Sequence, residues 1–233
     1  MTEFLYEGKA KKIFKTDNPE EYLVYFKDDA TAFNAQKKGT VLEKGIINNK
    51  LSNYFFKIIE SRGIPTHFVR EISDRESIVK KVKIIPVEVI VRNKVAGSMA
   101  KRMGIDEGFI LKYPTIEFSY KNDELGDPLM ADSYVVALGL CSDDDFNTIK
   151  KYSMQINEIL KEEMLKAEII LIDFKLEFGK TSDDTIILAD EISPDTCRLW
   201  DAKTNEKLDK DRFRRDLGNV EGAYKEVLKR FLQ

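Results

Sequence analysis

The spacing of apolar and polar positions predicts a chain that is strand-rich at its start and mixed afterwards. Leu5–Phe14 and Tyr22–Phe26 read as strands and flank Thr16-Asp17-Asn18-Pro19, a turn cluster. Between Glu43 and Arg62, Ile46, Ile47, Leu51, Tyr54, Phe55, Ile58 and Ile59 recur at helical spacing, and Gly63 stops the helix. Thr66–Glu71 and Ser77–Ile84 read as strands again. The apolar run Ile84–Arg92 holds Pro86, which suits a crossing between lobes better than a central strand. After Gly97 the pattern predicts a short helix (Ser98–Met103), strands around Thr115–Tyr120, a long helix (Asp143–Lys166) and closing helices from Asp209 onward.

Between the long helix and the closing helices lies a hairpin that carries charge. Ile169–Ile172 is apolar throughout, and Asp173, Lys175 and Glu177 then alternate with Phe174, Leu176 and Phe178. On a strand the three charges share one face, so a buried strand opens into a cavity at Asp173. The plain alternative is an exposed strand face. A second strand, Thr185–Ala189, ends in Asp190-Glu191, and 179–184 reads as the turn. With Thr181 and Ser182 at the tip, Lys180 faces Asp183 and Asp173 faces Asp190. Opposed carboxylates repel and need a cation or an intervening lysine. With Glu177 on the same face, a hard ion such as Mg2+ fits.

Composition narrows the class. A chain of 233 residues is one large domain or two lobes, and 42% hydrophobic content supplies a core. A net charge of −3 argues against a general nucleic-acid binder. Cys141 and Cys197 make no disulfide framework and fit reduced thiols in a cytoplasmic protein. The first residues lack a signal-peptide pattern, and no apolar run reaches the ~20 residues that span a bilayer. His67, the only histidine, has no neighbours for a triad or zinc site and reads as structural.

Three basic clusters are candidate anion sites. Glu7-Gly8-Lys9-Ala10-Lys11-Lys12 places a glycine among lysines at a strand bend, where N–H groups can approach phosphates, although a solvated basic turn has the same composition. Lys80-Lys81 closes a strand of the same lobe, and one of the pair could reach phosphates. Arg92 ends a buried strand and Gly97-Ser98 opens a helix, so a serine-capped N-terminus lies beside a guanidinium fork. Arg198 follows Asp190 on an expected loop.

These residues resemble the SAICAR synthetase family over nearly the whole chain, from Leu5 to about Phe231. The resemblance lies in Ile84–Ser98 and Leu171–Gly179, with Tyr6–Lys11, Lys44–Lys50 and Ser193–Trp200 in support. It implies an α+β fold of two lobes around ATP, related to ATP-grasp enzymes and distantly to protein kinases. Residues 1–85 would form the β-rich ATP lobe and 86–233 the lobe with metal and substrate sites. It implies that ATP, L-aspartate and a carboxylated aminoimidazole ribonucleotide (CAIR) give ADP, phosphate and the succinocarboxamide SAICAR.

Site roles follow from the same resemblance. Glu177 and Asp190 match metal ligands placed before and after a hairpin, for Mg2+. Lys175 would stabilise the transferring charge, and Asp173 would orient Lys175 or act as a base. Gly8, Lys9, Lys11 and Lys81 would contact ATP phosphates, with adenine on the backbone of Pro86, Val87 and Glu88. Arg92, Ser98 and Arg198 would hold CAIR, with Arg214 and Lys121 as weaker candidates. Asn34 stands where some family members carry an aspartate, and is a substrate contact at most. A homo-oligomer, with a dimer favoured, is implied by family likeness.

Overall fold

Short, half-buried strands build the first sheet. In the computed structural model, which describes residues 3–32 and 36–232, β1 (Glu3–Glu7), β2 (Lys11–Lys15) and β3 (Glu21–Phe26) run antiparallel. The single run expected over Leu5–Phe14 is bent in two at Gly8, whose N–H donates to the Lys11 carbonyl at 2.8 Å. A small ribbon of β4 (Asp29–Ala32) and β5 (Lys37–Thr40) precedes α1 (Lys44–Ser61). Glu43 and Arg62, the expected limits of this helix, are its caps. With β6 (Phe68–Ser73) and β7 (Glu76–Lys80) the first sheet has the order β1-β2-β3-β7-β6.

The chain passes to the second sheet at Lys81-Val82 and enters β8 (Lys83–Lys94). There follow α2 (Gly97–Met103), β9 (Ile110–Tyr120), β10 (Leu129–Met130), α3 (Asp132–Ala137), α4 (Asp143–Lys166), β11 (Ile169–Lys180), β12 (Ile186–Ala189), β13 (Cys197–Asp201), α5 (Asp211–Arg214) and α6 (Val220–Phe231). β8 lies between β9 and β11 and is a central strand, which corrects the expectation of a crossing at Pro86. The missing N–H of Pro86 is tolerated because pairing with β9 begins only at Val87 and the ladder to β11 is interrupted between Glu177 and Gly179.

One large core ties the helices to this second sheet. α4 is capped by Ser142, which accepts from the Asp145 N–H at 3.1 Å, and carries three aspartates in its first turn and Lys166 in its last. Its Phe146, Ile149, Ile156, Leu160 and Met164 pack with Leu171, Phe174 and Leu176 of β11 and with Ile47, Leu51, Phe55 and Ile59 of α1. Burying each such side chain contributes about 1.5–3 kcal/mol. A small satellite of Ala96, Ile172 and Trp200 sits beside it; the Trp200 indole is buried, its Nε1 has no hydrogen-bond partner among the described residues, and the Lys207 ammonium lies 4.3 Å from its ring. The result is a β11 buried along almost its whole length, with its charged stretch aimed into the space between the two sheets.

Candidate active site

That space is a cleft of about 800 Å3 lined from both sheets. Asp173, Lys175 and Glu177 all line it, as the alternating pattern predicts. The hairpin register differs from the expected one. Lys180 pairs with Ile186 and Glu177 with Ala189, because the turn spans Thr181–Thr185, closed by the Thr181 N–H on the Thr185 carbonyl at 3.1 Å. Asp173 therefore does not face Asp190; its cross-strand neighbours are Arg92 on β8 and Arg198 on β13. Asp190 lies just past β12, with left-handed backbone (φ 62°). Such a conformation is uncommon outside glycine and is tolerated by Asp and Asn.

Glu177 and Asp190 nevertheless meet, through one ammonium. Lys175 Nζ lies 2.5 Å from Glu177 Oε1, 3.1 Å from Asp190 Oδ2 and 3.3 Å from Glu88 Oε1. Lys121 reaches the same Glu177 oxygen at 2.9 Å, and Lys11 reaches Asp190 at 2.6 Å and Glu191 at 3.3 Å. Burial opposes the charge on Lys175, yet Asp190, Glu177 and Glu88 outweigh it and hold its pKa well above the ordinary lysine value. Burial also opposes ionisation of Asp190, but Lys11 and Lys175 hold its carboxyl far below the usual carboxylate range. The two carboxylates thus converge on a position that the Lys175 ammonium already occupies.

The donor set fits Mg2+. Among the described residues no cluster of three or more metal-ligating side chains occurs. Mg2+ is commonly held by one or two carboxylates with phosphate and water completing its shell. Two hard oxygens gripping a common positive charge meet that requirement.

The other end of the cleft is a chain of arginine–carboxylate pairs. Arg92, only 2% exposed, donates to Asp173 at 2.5 Å, to Glu117 at 2.9 Å and to Ser98 Oγ at 3.2 Å. Arg198 donates to Asp173 at 2.9 Å and to Asp211 at 3.0 Å. Burial opposes ionisation of Asp211, but Arg198 and Arg214 hold its pKa down at about 2. Asp209, fully buried beside it, is pushed up to about 7 by burial and by the Asp211 charge, against backbone N–H bonds from Asp211 and Leu199. Arg198 is on a strand rather than the expected loop. Ser98 is not a helix cap: Ala96 holds that position, and the first N–H, of Gly97, donates to Glu107 at 2.8 Å. Both residues still line the cleft, with their polar groups in the arginine network.

Other expected residues divide. Gly8, Lys9, Lys11, Glu88, Lys121 and Arg214 line the cleft. Lys9 bonds Asp123 across the mouth at 2.7 Å. Lys81 is not itself in the lining, but its Nζ sits 6.0 Å from the ring of Tyr22, which is; its neighbour Lys80 lines the cleft and donates to the Thr66 carbonyl at 3.2 Å. Val87 is 2% exposed, pairs with Tyr120 and is absent from the lining; the Pro86 carbonyl accepts from the Lys121 N–H at 3.0 Å. Val82, Ile84 and Glu88 line the cleft along this stretch, where the ladder to β11 is open. Asn34 lies outside the described residues. Sequence reasoning missed Asp195 and Lys210, which reach the cleft from distant segments with no motif to link them. His67 is buried 5.0 Å from Phe56, ring to ring, just ahead of β6.

A deep cleft between two sheets, with carboxylates around a cation position at one end and fixed arginines at the other, defines the class: an α+β protein that handles polyanionic substrates. The particular family follows from comparison. The SAICAR synthetase family model matches residues 4–231, and the chain belongs to that family. It is 60% identical over 228 residues to a phosphoribosylaminoimidazole-succinocarboxamide synthase of Clostridium botulinum (strain Alaska E43 / Type E3), covering 98% of this chain and 97% of that protein. A crystal structure of the synthase from Ehrlichia chaffeensis superposes with a TM-score of 0.96 at 48% identity, covering 98% of each chain. A SAICAR synthetase (Type-2) in complex with ADP superposes with a TM-score of 0.95 at 49% identity, covering 99% of this chain and 97% of that one.

Proposed function

We propose that the chain is an ATP-dependent carbon–nitrogen ligase of de novo purine biosynthesis, joining L-aspartate to the carboxylate of CAIR to give SAICAR, ADP and phosphate. Family membership over residues 4–231 supports the reaction, and the observation that carries the site is the convergence of Glu177 and Asp190 on one cation position. The ADP complex of a relative supports nucleotide use. We read 1–85 as the nucleotide lobe and 86–233 as the substrate lobe. No helix among the described residues is long and apolar enough to cross a membrane.

The chemistry needs an activated carboxylate. A free carboxylate resists nucleophiles, because its charge repels them and oxide leaves poorly. Phosphoryl transfer from ATP converts it to an acyl phosphate, and the aspartate amine then displaces phosphate. Glu177 and Asp190 would hold Mg2+, which would supply charge neutralisation for the phosphates. Lys175, between Glu177 and Asp190, would stabilise the charge that develops on the transferring group. Lys11 and Lys9 would reach the phosphates from the glycine bend, with Lys80 and Lys81 close by. Asp173, bonded to two guanidiniums, orients Arg92 and Arg198 for the anionic groups of CAIR rather than orienting Lys175 or taking a proton.

The purified protein should release phosphate from ATP only when CAIR and L-aspartate are both present, with SAICAR formed in equal amount. A phosphotransferase on the same cleft would release no free phosphate, and phosphoryl transfer to a hydroxyl would refute the ligase.

A further inference from the structure

One corner of the cleft carries positive charge that no carboxylate fully neutralises. Lys210 and Arg214 stand four residues apart at α5, joined by the Arg214 N–H on the Lys210 carbonyl at 2.9 Å. Residues at this spacing share a helix face, and both side chains line the cleft. The carboxylate nearest Lys210 is Asp195, at 3.6 Å, beyond hydrogen-bond range. That carboxylate is already taken. The fully buried Lys44 lies 2.7 Å from the same Oδ2, and the buried Tyr224 hydroxyl donates to Oδ1 at 2.6 Å.

Arg214 shares its partner as well, since Asp211 receives Arg214 at 2.7 Å and Arg198 at 3.0 Å. The arginines elsewhere in the cleft differ: Arg92 and Arg198 are each bonded to two carboxylates. Burial lowers the pKa of Lys210, and Asp195 recovers only part of the loss against the like charges of Arg214 and Lys44. Lys11 and Lys175 are shifted the other way by their carboxylates. The corner also borders the acidic end, because Glu191, which pairs with Lys11, acts on Lys210 too.

We propose that Lys210 and Arg214 form the subsite that receives the two carboxylates of the amino-acid substrate, and that Asp195, braced by Lys44 and Tyr224, positions the Lys210 ammonium. This rests on the ligase reading above. Two fixed cations on one helix face match a dicarboxylate, whose amine is left free to reach the activated acyl group beside the acidic end. Lys44 comes from α1 and Tyr224 from α6, so two further helices hold the subsite in place.

The test is the split of Michaelis constants in Lys210→Met, Arg214→Lys and Tyr224→Phe. Lys210→Met should raise KM for L-aspartate about tenfold or more, with KM for CAIR and ATP and calorimetric ADP affinity within about twofold of wild type. Arg214→Lys, on a partly exposed side chain, should raise the aspartate KM alone, and Lys210→Arg should recover part of the loss. Tyr224→Phe should raise it about threefold, through Lys210. Succinate, which lacks the amine, should compete with L-aspartate and weaken in the same variants. If Lys210→Met does not fold, Arg214→Lys and succinate competition decide. An unchanged aspartate KM, or a rise in the CAIR constant instead, would overturn the subsite. Absence of SAICAR formation by wild type would defeat the ligase reading itself, a separate result.

Discussion

At the β11–β12 end of the cleft, Glu88, Glu177, Asp190 and Glu191 surround Lys11, Lys121 and Lys175. At the α5 end, Arg92, Arg198, Lys210 and Arg214, with Lys44 beside them, stand over Glu117, Asp173, Asp195 and Asp211. Both ends bury ion pairs, and both avoid uncompensated charge by sharing partners. Their biases are opposite. The first has carboxylate oxygens to give to an incoming cation, and the second has cations to give to an incoming anion. Buried charges are costly unless paired, so each bias marks what a ligand is expected to complete.

The sharpest way to break this comparison is at the acidic end. Asp190→Asn keeps the shape and tolerates the left-handed backbone, but removes the charge. Turnover should fall about a hundredfold or more, with an unchanged circular dichroism spectrum. A loss below about threefold would remove that end from the chemistry.

At the basic end the larger effect is on folding. Arg92→Met strands Asp173 and Glu117, and stability in urea should drop by about 3–5 kcal/mol. A drop under about 1 kcal/mol would mean that Arg198 and Arg102 can neutralise both carboxylates unaided.

A smaller effect sharpens the contrast from beneath the acidic end. Burial, with help from the Lys11 charge, lowers the pKa of His67 to about 3 from its ordinary 6.5. Between these values the unfolded chain binds the extra proton, so the His67 contribution is whole above pH 6.5 and is lost as pH falls toward 3. The slope is about 1.4 kcal/mol per pH unit, which gives about 2 kcal/mol between pH 6.5 and 5. Urea titrations at the two pH values should show it in wild type, and His67→Phe should remove that part of the dependence.

What could be read in advance was local. The 3.6-residue pattern of α4, its serine cap and its acidic first turn lie together in sequence, and the observed limits Asp143–Lys166 are those expected. Asp173, Lys175 and Glu177 were likewise legible, because a strand converts alternation into a shared face. The register of the hairpin was not. A turn over Thr181–Thr185 and one at Thr181-Ser182 draw on the same residue types, and the choice moves every pairing by three positions. Partners far apart in sequence were also invisible: Lys44 meets Asp195 across 151 residues, and nothing in either segment announces the other. Pro86 misled for a different reason, since the ladder had already opened where its N–H would have been needed.

Trp200, the only tryptophan in the chain, ends up two residues beyond Arg198 on β13, walled in by Ala96 and Ile172 under the Lys207 ammonium. An indole so enclosed emits toward the blue, and its intensity depends on how that ammonium and the strand are held. The molecule therefore carries a built-in optical gauge of β13 and its surroundings, readable without labels.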